Sequence, residues 1–179
     1  RNACTADEFK TLWRFLVYYM RDVKKLHNLI YVYNVADFNS QDEFMERYPG
    51  NEWVDVISFD SYQYNDPAKD DGFRKMIDQR LTILDRIAAE TGKMPAFGET
   101  GYEAIPYPTW WTDVLLRAIG EHRIAYVLLW RNHGYNEYMK KMHYYVPYTG
   151  QVSEADFIRF YESGRTVFEK EAKAAQLYQ

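Results

Sequence analysis

Residues 54–97 carry the pattern that decides the fold: VDVISF at 54–59, FRKMIDQRLTILDRI at 73–87 and MPAF at 94–97. The two outer segments are short and mostly apolar, which is typical of buried strands. In the middle segment the apolar residues recur every three or four positions, so they share one face of a helix. Gly92 lies just past this helix, where a left-handed C-cap is expected. A strand, a helix and a second strand in this order predict a βαβ unit with parallel strands.

The same alternation of helix and strand continues upstream. The predicted elements are a helix over 5–23, a strand over 29–35 (LIYVYNV) and a short helix that begins at 40 and ends near Pro49 and Gly50. Each helix begins at a capping box, in which a hydroxyl residue precedes a glutamate by three positions. These pairs are Thr5 with Glu8 and Ser40 with Glu43.

Downstream of residue 97 the alternation repeats. A helix is predicted from about Pro108 to His122, and a strand from Ile124 to Trp130. The last predicted helix is amphipathic, and its apolar positions are Phe157, Ile158, Tyr161, Val167 and Phe168. Four strands that alternate with about five helices indicate an α/β fold built on a parallel sheet.

Composition excludes several classes of protein. The chain has 179 residues, a net charge of −4 and an apolar fraction of 47%, which is enough for one globular domain with a core. The longest apolar run, Ile124–Trp130, has seven residues, whereas a membrane span needs about 18 or more. No basic cluster is present, so binding to nucleic acid is disfavoured. The single cysteine, Cys4, has no partner for an internal disulfide.

Motifs for cofactors and metals are absent from the sequence. It contains no G-x-G-x-x-G fingerprint, no Walker A loop and no G-x-S-x-G elbow. Its four histidines do not have the spacing of metal ligands. We therefore expect neither a cofactor nor a bound metal.

Candidate functional residues follow the predicted strands, because parallel α/β folds place their sites at the carboxyl ends of the strands. The residues at the four strand ends are polar or aromatic. They are Asn34, Asp37 and Phe38; Asp60, Ser61 and Tyr62; Gly98, Glu99 and Thr100; and Trp130, Arg131, Asn132 and His133.

Glu99 is the most informative of these residues, because a carboxylate at the rim of a sheet can be tuned by burial and by its neighbours. A solvated turn residue would give the same pattern. Trp130 either presents a flat apolar face to the site or packs in the core. Asp60 and Tyr62 alternate along the strand, so both can point the same way, either into a site or as a hydrogen-bonded pair at the rim.

Three further groups of residues have weaker signals. Trp110 and Trp111 open a predicted helix, and helix packing is favoured over ligand stacking for them. Tyr144, Tyr145 and Tyr148 lie in a long connection, where they line a groove or cover the fold. Among the histidines, His133 alone lies at the predicted functional face.

The chain resembles the β-mannanases of glycoside hydrolase family 26. The resemblance runs from about Leu12 to Phe168, and its segments occur in the family's order: LWRFLVYYMRDVKKLHNLIYVYN, YPGNEWVDVISFDSY, FGETG, LLWRN, HYYVPYTG and DFIRFY. It implies a (β/α)8 barrel of the retaining type that uses two glutamates. It also implies cleavage of internal β-1,4 linkages in mannan, galactomannan or glucomannan.

The resemblance implies roles for particular residues. Glu99 in FGETG matches the catalytic nucleophile, and Tyr62 in FDSY matches the tyrosine that orients it. Other positions match an aspartate that lines the cleft, the tryptophan platform for the sugar at the cleaved end, and two residues that contact sugar hydroxyls. These substrate-binding positions are Asp60, Trp130, Arg131 and Asn132.

The chain departs from the family at the second catalytic group. The family's acid/base glutamate follows the fourth strand in an Arg-Pro-x-His-Glu-like segment, and the sequence has no such segment. The chain begins at Arg1 inside the loop that follows, so its four strands resemble strands five to eight. We therefore expect residues 1–179 to form the C-terminal half of a barrel, since a whole barrel takes about 250 residues. Glu103, which lies close to Glu99 in the sequence, is interpreted as a loop carboxylate.

The expected partner is a β-mannan polysaccharide, which implies a secreted, cell-surface or periplasmic protein because the polymer cannot cross a membrane. Half a barrel also leaves open sheet edges and an apolar face. We expect these to pair with the missing amino-terminal half or a second copy, or the sheet to flatten under its helices. Two alternatives stay open: a family member that acts on another β-glucan or xylan, and a non-catalytic glycan-binding piece.

Overall fold

A computed structural model describes residues 3–176, so Arg1 lies outside the described residues. The chain divides into two compact units. The first runs to Tyr62 and includes Ile77–Thr100 and Glu121–Leu128. The second consists of Gln63–Met76, Gly101–Gly120 and the chain from Leu129 onwards.

The first helices of the chain begin where the capping signals predict. Helix α1 (Ala6–Tyr18) is preceded by Thr5, whose hydroxyl accepts a hydrogen bond from the Glu8 amide at 3.2 Å. The Glu8 carboxylate accepts from the Thr5 amide at 2.7 Å, so this capping box is confirmed. The helix then continues as one π-helical turn over Tyr19–Val23.

Helix α2 (Gln41–Met45) has only half of the predicted capping box. The Ser40 hydroxyl accepts from the Glu43 amide at 3.2 Å, as predicted. The Glu43 carboxylate instead accepts from the Asn39 amide at 2.7 Å. The prediction of a reciprocal Ser40–Glu43 box is therefore wrong, because the acidic side chain reaches one residue further back.

A four-stranded sheet forms the framework of the first unit. Its strands are β1 (Val32–Val35), β2 (Val56–Gln63), β3 (Met94–Tyr102) and β4 (Val127–Leu129), and they are ordered β1-β2-β3-β4. β1 pairs in parallel with β2, from Val32 opposite Val56 to Val35 opposite Phe59. Helix α3 (Gly72–Thr91) joins β2 to β3 and ends before Gly92, whose φ of +70° confirms the left-handed C-cap. The α/β class with a parallel sheet is confirmed.

Strands β2 and β3 are longer than predicted. They continue past the expected ends at Phe59 and Phe97, so Asp60, Tyr62 and Glu99 lie inside strands rather than after them. The predicted ends are wrong because these polar side chains find hydrogen-bond partners in neighbouring strands. Polar residues in the sequence therefore do not mark the ends of β2 and β3.

The two edge strands are shorter than predicted. β1 begins at Val32 instead of residue 29, because the Tyr31 amide donates to the Asp55 carboxylate at 2.8 Å. β4 begins at Val127 instead of residue 124. Its pairing nevertheless starts earlier, since the Ala125 amide donates to the Pro95 carbonyl at 2.8 Å.

The core of the first unit contains stacked aromatic rings and buried apolar residues of α3. Phe59 and Phe97 stack with their ring centroids 4.6 Å apart, and both are fully buried. Apolar residues of α3 complete this layer, and the fully buried ones are Ile77, Leu81, Leu84 and Ile87.

The second unit begins its main helix as a π-helix over Trp110–Leu116, followed by α4 (Arg117–Ile119). This helix is shorter than the predicted span of 108–122, and it ends at Gly120, which has a φ of +54°. An antiparallel hairpin, β5 (Gly134–Asn136) and β6 (Lys141–His143), was not predicted from the sequence.

The predicted final helix is two helices, α5 (Glu154–Tyr161) and α6 (Glu169–Ala174). Val167 and Phe168 therefore lie outside both helices, contrary to the prediction. The break has a local cause: Gly164 adopts a φ of +71°, and the Thr166 hydroxyl donates to the Phe160 carbonyl at 2.9 Å. These features turn the chain between the two helices.

Apolar side chains remain exposed in the first unit. Leu12 and Phe15 on α1 are each 56% exposed, and Ile30 before β1 is 71% exposed. No helix among residues 3–176 is both long and apolar enough to cross a membrane. An apolar surface of this kind is typical of a face that packs against further protein.

Replacement of Phe97 by alanine tests the stacked core. Phe97→Ala removes a fully buried ring, so the free energy of unfolding should fall by about 3–5 kcal/mol, measured by urea denaturation followed by circular dichroism. Tyr138→Ala is the matched control, because Tyr138 is 96% exposed and its loss should change stability by less than about 0.5 kcal/mol. Equal effects of the two substitutions would contradict this account of the core.

Candidate active site

Glu99 is the central residue of the candidate site. It lies within β3, after the buried Gly98, and its side chain is partly exposed. The alternative of a solvated turn residue is wrong, since Gly98 and Gly101 both belong to the strand. A carboxylate on a strand is held more rigidly than one on a loop, which suits a reacting group.

Tyr62 of β2 is the hydrogen-bond partner of Glu99. Its hydroxyl donates to Oε2 of Glu99 at 2.8 Å. A hydrogen bond from a neutral donor to a carboxylate is charge-assisted, so it orients the side chain. The structure thus brings together two residues that the sequence placed at separate strand ends.

Asp60 lies on the same face of β2, two residues before Tyr62. Its Oδ2 accepts a hydrogen bond from Nδ2 of Asn34 at 2.7 Å. Burial raises the pKa of Asp60, the Asn34 hydrogen bond acts in the opposite direction, and the negative charge of Glu99 raises it further. The net effect is a raised pKa. Asp60 and Glu99 are therefore close enough for their charges to interact.

The remaining residues from the first three strand ends have other environments. Ser61 and Thr100 are buried, as expected from strand alternation, which turns them away from Asp60 and Glu99. Asp37 is paired with the buried Arg80, whose guanidinium lies 5.5 Å from the ring centre of Phe38. These contacts anchor the segment after β1.

Trp130 directly follows β4 and belongs to the second unit, where it is partly exposed. The guanidinium of Arg131 lies 6.0 Å from the centre of the Trp130 ring, at the outer limit of a cation–π contact. Nη1 of Arg131 is 3.0 Å from Nδ1 of His133. Arg131 and His133 are both exposed, so their polar atoms remain accessible to a solute.

Asn132 holds the loop that follows the hairpin. Its Oδ1 accepts hydrogen bonds from the amides of Tyr145 and Val146, both at 2.9 Å, and its Nδ2 donates to the Val146 carbonyl at 3.0 Å. Both ends of the amide are therefore bonded to backbone. This organises the loop that carries Tyr145.

Glu103 pairs with the hairpin. Its carboxylate accepts from Nδ1 of His143 at 2.8 Å and from Nζ of Lys141 at 3.1 Å. Burial raises the pKa of Glu103, but the hydrogen bonds and charges of His143 and Lys141 together outweigh it, so the pKa is lowered. Such a carboxylate stays ionised and is poorly suited to donate a proton.

The aromatic candidates of the second unit have packing roles. Trp110 and Trp111 are fully buried, as the preference for helix packing predicts. Tyr144 and Tyr148 contact each other with centroids 5.3 Å apart. The Tyr145 ring lies directly over Gly101, since a Cβ there would come within 2.3 Å of it.

Sequence reasoning missed the supporting polar residues. The sequence pattern does not indicate Ser58, and it identifies Asn34 only as a residue near a strand end. The Ser58 hydroxyl donates to Oδ1 of Asn34 at 2.6 Å. The signal was present in the sequence: a serine interrupts the apolar strand VISF, and in a parallel sheet such a polar residue needs a partner in the next strand.

The chain is similar to known proteins of one glycoside hydrolase family. The model of Glycosyl hydrolase family 26 matches residues 2–144. A mannan endo-1,4-beta-mannosidase of Bifidobacterium adolescentis is 30% identical over 177 residues, which cover 91% of this chain and 18% of that protein.

Two solved structures are similar over most of this chain. A GH26 beta-mannanase from Bacteroides ovatus is 36% identical with a TM-score of 0.83, covering 94% of this chain and 46% of that one. The catalytic domain of a GH26 endo-beta-1,4-mannanase from Bacillus sp. JAMB-750 is 31% identical with a TM-score of 0.85, covering 100% and 49%. The chain thus spans about half the length of these solved chains and under a fifth of the Bifidobacterium protein.

Acid titration tests the pairing of Glu103. Because the folded state lowers the pKa of Glu103, the pairing stabilises the fold above the ordinary glutamate pKa and this stabilisation is lost as the pH falls through the lowered value. Glu103→Gln should therefore reduce the free energy of unfolding by about 1 kcal/mol near neutral pH and by almost nothing near pH 3. Urea denaturation at both pH values measures the difference.

Glu137→Gln is the control for this titration, since Glu137 lies on the same hairpin and its side chain is 83% exposed. It should leave the stability almost unchanged at both pH values. A loss for Glu103→Gln that persists undiminished in acid would contradict the ion-pair explanation.

Proposed function

Because this chain belongs to glycosyl hydrolase family 26, we propose that it supplies the nucleophile side of an endo-β-1,4-mannanase active site, with Glu99 as the nucleophile. The observation that carries the proposal is the 2.8 Å hydrogen bond from Tyr62 to Glu99 on adjacent strands. It is the pairing that the resemblance implies for FDSY and FGETG.

The proposed mechanism is retaining. Oε2 of Glu99 is held by Tyr62, so Oε1 attacks the anomeric carbon while the bond to the leaving oxygen breaks. The product is a covalent glycosyl-enzyme, which water then hydrolyses. A retaining enzyme needs a second carboxyl about 5–5.5 Å from the first to give and take the proton.

The second carboxyl is proposed to lie outside this chain. Glu103 is disfavoured because its carboxylate is held by His143 and Lys141 in the ionised form. Asp60 is bonded to Asn34 through Oδ2, and its Oδ1 is buried. We therefore infer that the acid/base glutamate belongs to the part of the family domain that precedes Arg1, and that the isolated chain lacks general-acid catalysis.

The proposed substrate is mannan, galactomannan or glucomannan, in line with the mannan endo-1,4-beta-mannosidase named among the relatives. Trp130 is proposed as the platform for the sugar at the cleaved end, since sugar rings present apolar faces that pack on aromatic rings. Arg131 is proposed to contact sugar hydroxyls, Asp60 to line the cleft, and Asn132 to shape the loop that carries Tyr145. A polymeric substrate of this kind favours a secreted or cell-surface protein.

We further propose that the four strands are strands five to eight of a (β/α)8 barrel, with residues 1–179 as its C-terminal half. The support is the strand order β1-β2-β3-β4 and the match to 46% and 49% of two solved family members. The exposed apolar residues of α1 are the surface that the amino-terminal half, or a second copy, would cover.

An activated substrate tests Glu99 without a general acid. The probe is a mannobioside that is fluorinated beside the anomeric carbon and carries a dinitrophenolate leaving group, which departs without protonation. Glu99 should displace dinitrophenolate and retain the fluorosugar, so intact-protein mass spectrometry should show one added disaccharide, located at Glu99 by peptide mapping. Glu99→Gln should abolish labelling.

Glu103→Gln is the matched control for labelling, because Glu103 is a nearby glutamate of the same chain that is held in an ion pair. It should be labelled as fast as the unmodified chain. Labelling that maps to Glu103, or that survives in Glu99→Gln, would contradict the proposed nucleophile.

Tyr62→Phe tests the orienting hydrogen bond. The substitution removes one hydroxyl that donates to Oε2 of Glu99, and a hydrogen bond to a charged group is worth about 1.5–3 kcal/mol. Labelling at Glu99 should therefore slow by about tenfold to hundredfold, measured from the release of dinitrophenolate. An unchanged rate would show that Tyr62 does not orient the nucleophile.

Unactivated mannan tests the absence of the acid. The isolated chain should release no reducing sugar from mannan above the level of Glu99→Gln, because the leaving sugar oxygen needs a proton that this chain does not supply. A reducing-sugar assay over a long incubation measures this. Clear release by the pure chain would contradict the proposal that the acid/base group lies elsewhere.

A further inference from the structure

A row of polar residues crosses the sheet at Gly98, the residue that precedes Glu99. Asn34 of β1 and Ser58 of β2 are opposite each other in the parallel register, and Gly98 of β3 lies beside them. Asp60 is the next residue of β2 on the same face. These four positions belong to the first unit, as does Glu99.

The hydrogen bonds in this row have a defined direction. The Ser58 hydroxyl donates to Oδ1 of Asn34 at 2.6 Å, and Nδ2 of Asn34 donates to Oδ2 of Asp60 at 2.7 Å. An amide can serve both neighbours only in this orientation, because the carboxylate of Asp60 accepts and cannot donate. Ser58 therefore keeps the donating end of Asn34 turned toward Asp60.

Gly98 provides the space for this row. A Cβ at Gly98 would lie 2.3 Å from Oδ1 of Asn34, 2.9 Å from Oδ1 of Asp60 and 3.0 Å from Oγ of Ser58. All three polar atoms thus pack against the bare backbone of β3. The residue that follows Gly98 is Glu99, so the row and the proposed nucleophile are fixed to the same strand.

Asp60 depends on Asn34 for its ionised form. Oδ1 of Asp60 is buried without a hydrogen-bond partner in the described part of the chain, so Asn34 is its one side-chain donor there. The titratable groups that act on Asp60 are Glu99 in β3 and Tyr126 just before β4. Burial and the charge of Glu99 raise the pKa of Asp60, and the Asn34 hydrogen bond is the interaction that lowers it.

We propose that Asn34, oriented by Ser58, is a positioning residue that keeps Asp60 anionic beside the nucleophile. The inference rests on the proposed function, because the benefit of the anion arises in the glycosidase reaction. The transition state of glycoside cleavage is oxocarbenium-like, with positive charge on the sugar. A second fixed negative charge next to Glu99 stabilises that charge, whereas a neutral Asp60 does not.

Asn34→Leu tests the proposal, since leucine has a similar shape and cannot donate. The first readout is the titration of the Asp60 carboxyl by carbon NMR, assigned with Asp60→Asn. Its midpoint should move upward by about one pH unit when the hydrogen bond to the charged form is lost. Asn28→Leu is the control, because Asn28 is exposed and precedes β1; it should leave the midpoint unchanged.

The second readout is the pH dependence of labelling at Glu99 by the fluorinated mannobioside. In Asn34→Leu the acidic limb of the rate profile should move upward by the same amount, while the rate at alkaline pH stays near that of the unmodified chain. A merely structural role would lower the rate at every pH without moving the limb, and that result would overturn the proposal.

Ser58→Ala is the second variant. It tests the proposal on its own if circular dichroism shows that Asn34→Leu does not fold. It leaves Asn34 in place but removes the donor that orients it, so the Asp60 midpoint should rise by a smaller amount. An unchanged midpoint in the folded variant would overturn the proposal. If the unmodified chain is not labelled at Glu99, the proposed nucleophile fails, whereas the Asp60 titration still shows whether Asn34 controls its charge.

Discussion

The lack of a side chain at Gly98 is the constraint on which the candidate site depends. The oxygens of Asn34, Asp60 and Ser58 all lie where a Cβ at this position would clash. The buried Ser58 is therefore bonded to the exposed Asn34, which in turn is bonded to the partly buried Asp60. These bonds remove most of the cost of burying the Ser58 hydroxyl. Glu99 follows Gly98 directly, so its position in β3 is set by the same backbone. A methyl group at Gly98 would collide with the side chains of Asn34, Asp60 and Ser58.

The extent of the sheet could be predicted from the sequence only in part. The apolar residues of VDVISF and MPAF predicted the positions of β2 and β3, and Gly92 predicted the end of α3. The predicted ends of both strands were wrong, because Asp60 and Glu99 are polar and a local pattern therefore predicts that they lie in loops. Their partners, Asn34 and Tyr62, are distant in sequence. A prediction that works within one segment cannot see a hydrogen bond that joins two strands.

The second unit was harder to predict for a related reason. The β5–β6 hairpin is short and polar, and its β6 strand is held partly by bonds from Lys141 and His143 to Glu103. No alternation of apolar residues signals such an element. The break between α5 and α6 likewise depends on the left-handed Gly164, although the apolar positions on both sides fit one helix. The candidate residues could still be selected from the sequence, because polar and aromatic residues after apolar strands are visible even where the strand ends are misplaced. Their roles stay predictions.

The three carboxylates near the end of β2 and β3 show why residue type alone does not define a catalytic role. Glu103 is bonded to Lys141 and His143, which lower its pKa and occupy both its oxygens. Glu99 has one oxygen held by a neutral hydroxyl, which leaves the other to react. Asp60 is partly buried and lies near the like charge of Glu99, both of which raise its pKa, so that its ionisation depends on a single amide. A nucleophile needs an oriented and partly free carboxylate, and of these three environments that of Glu99 alone supplies both properties. The environment of Asp60 instead suits a charge that supports the reaction from beside it.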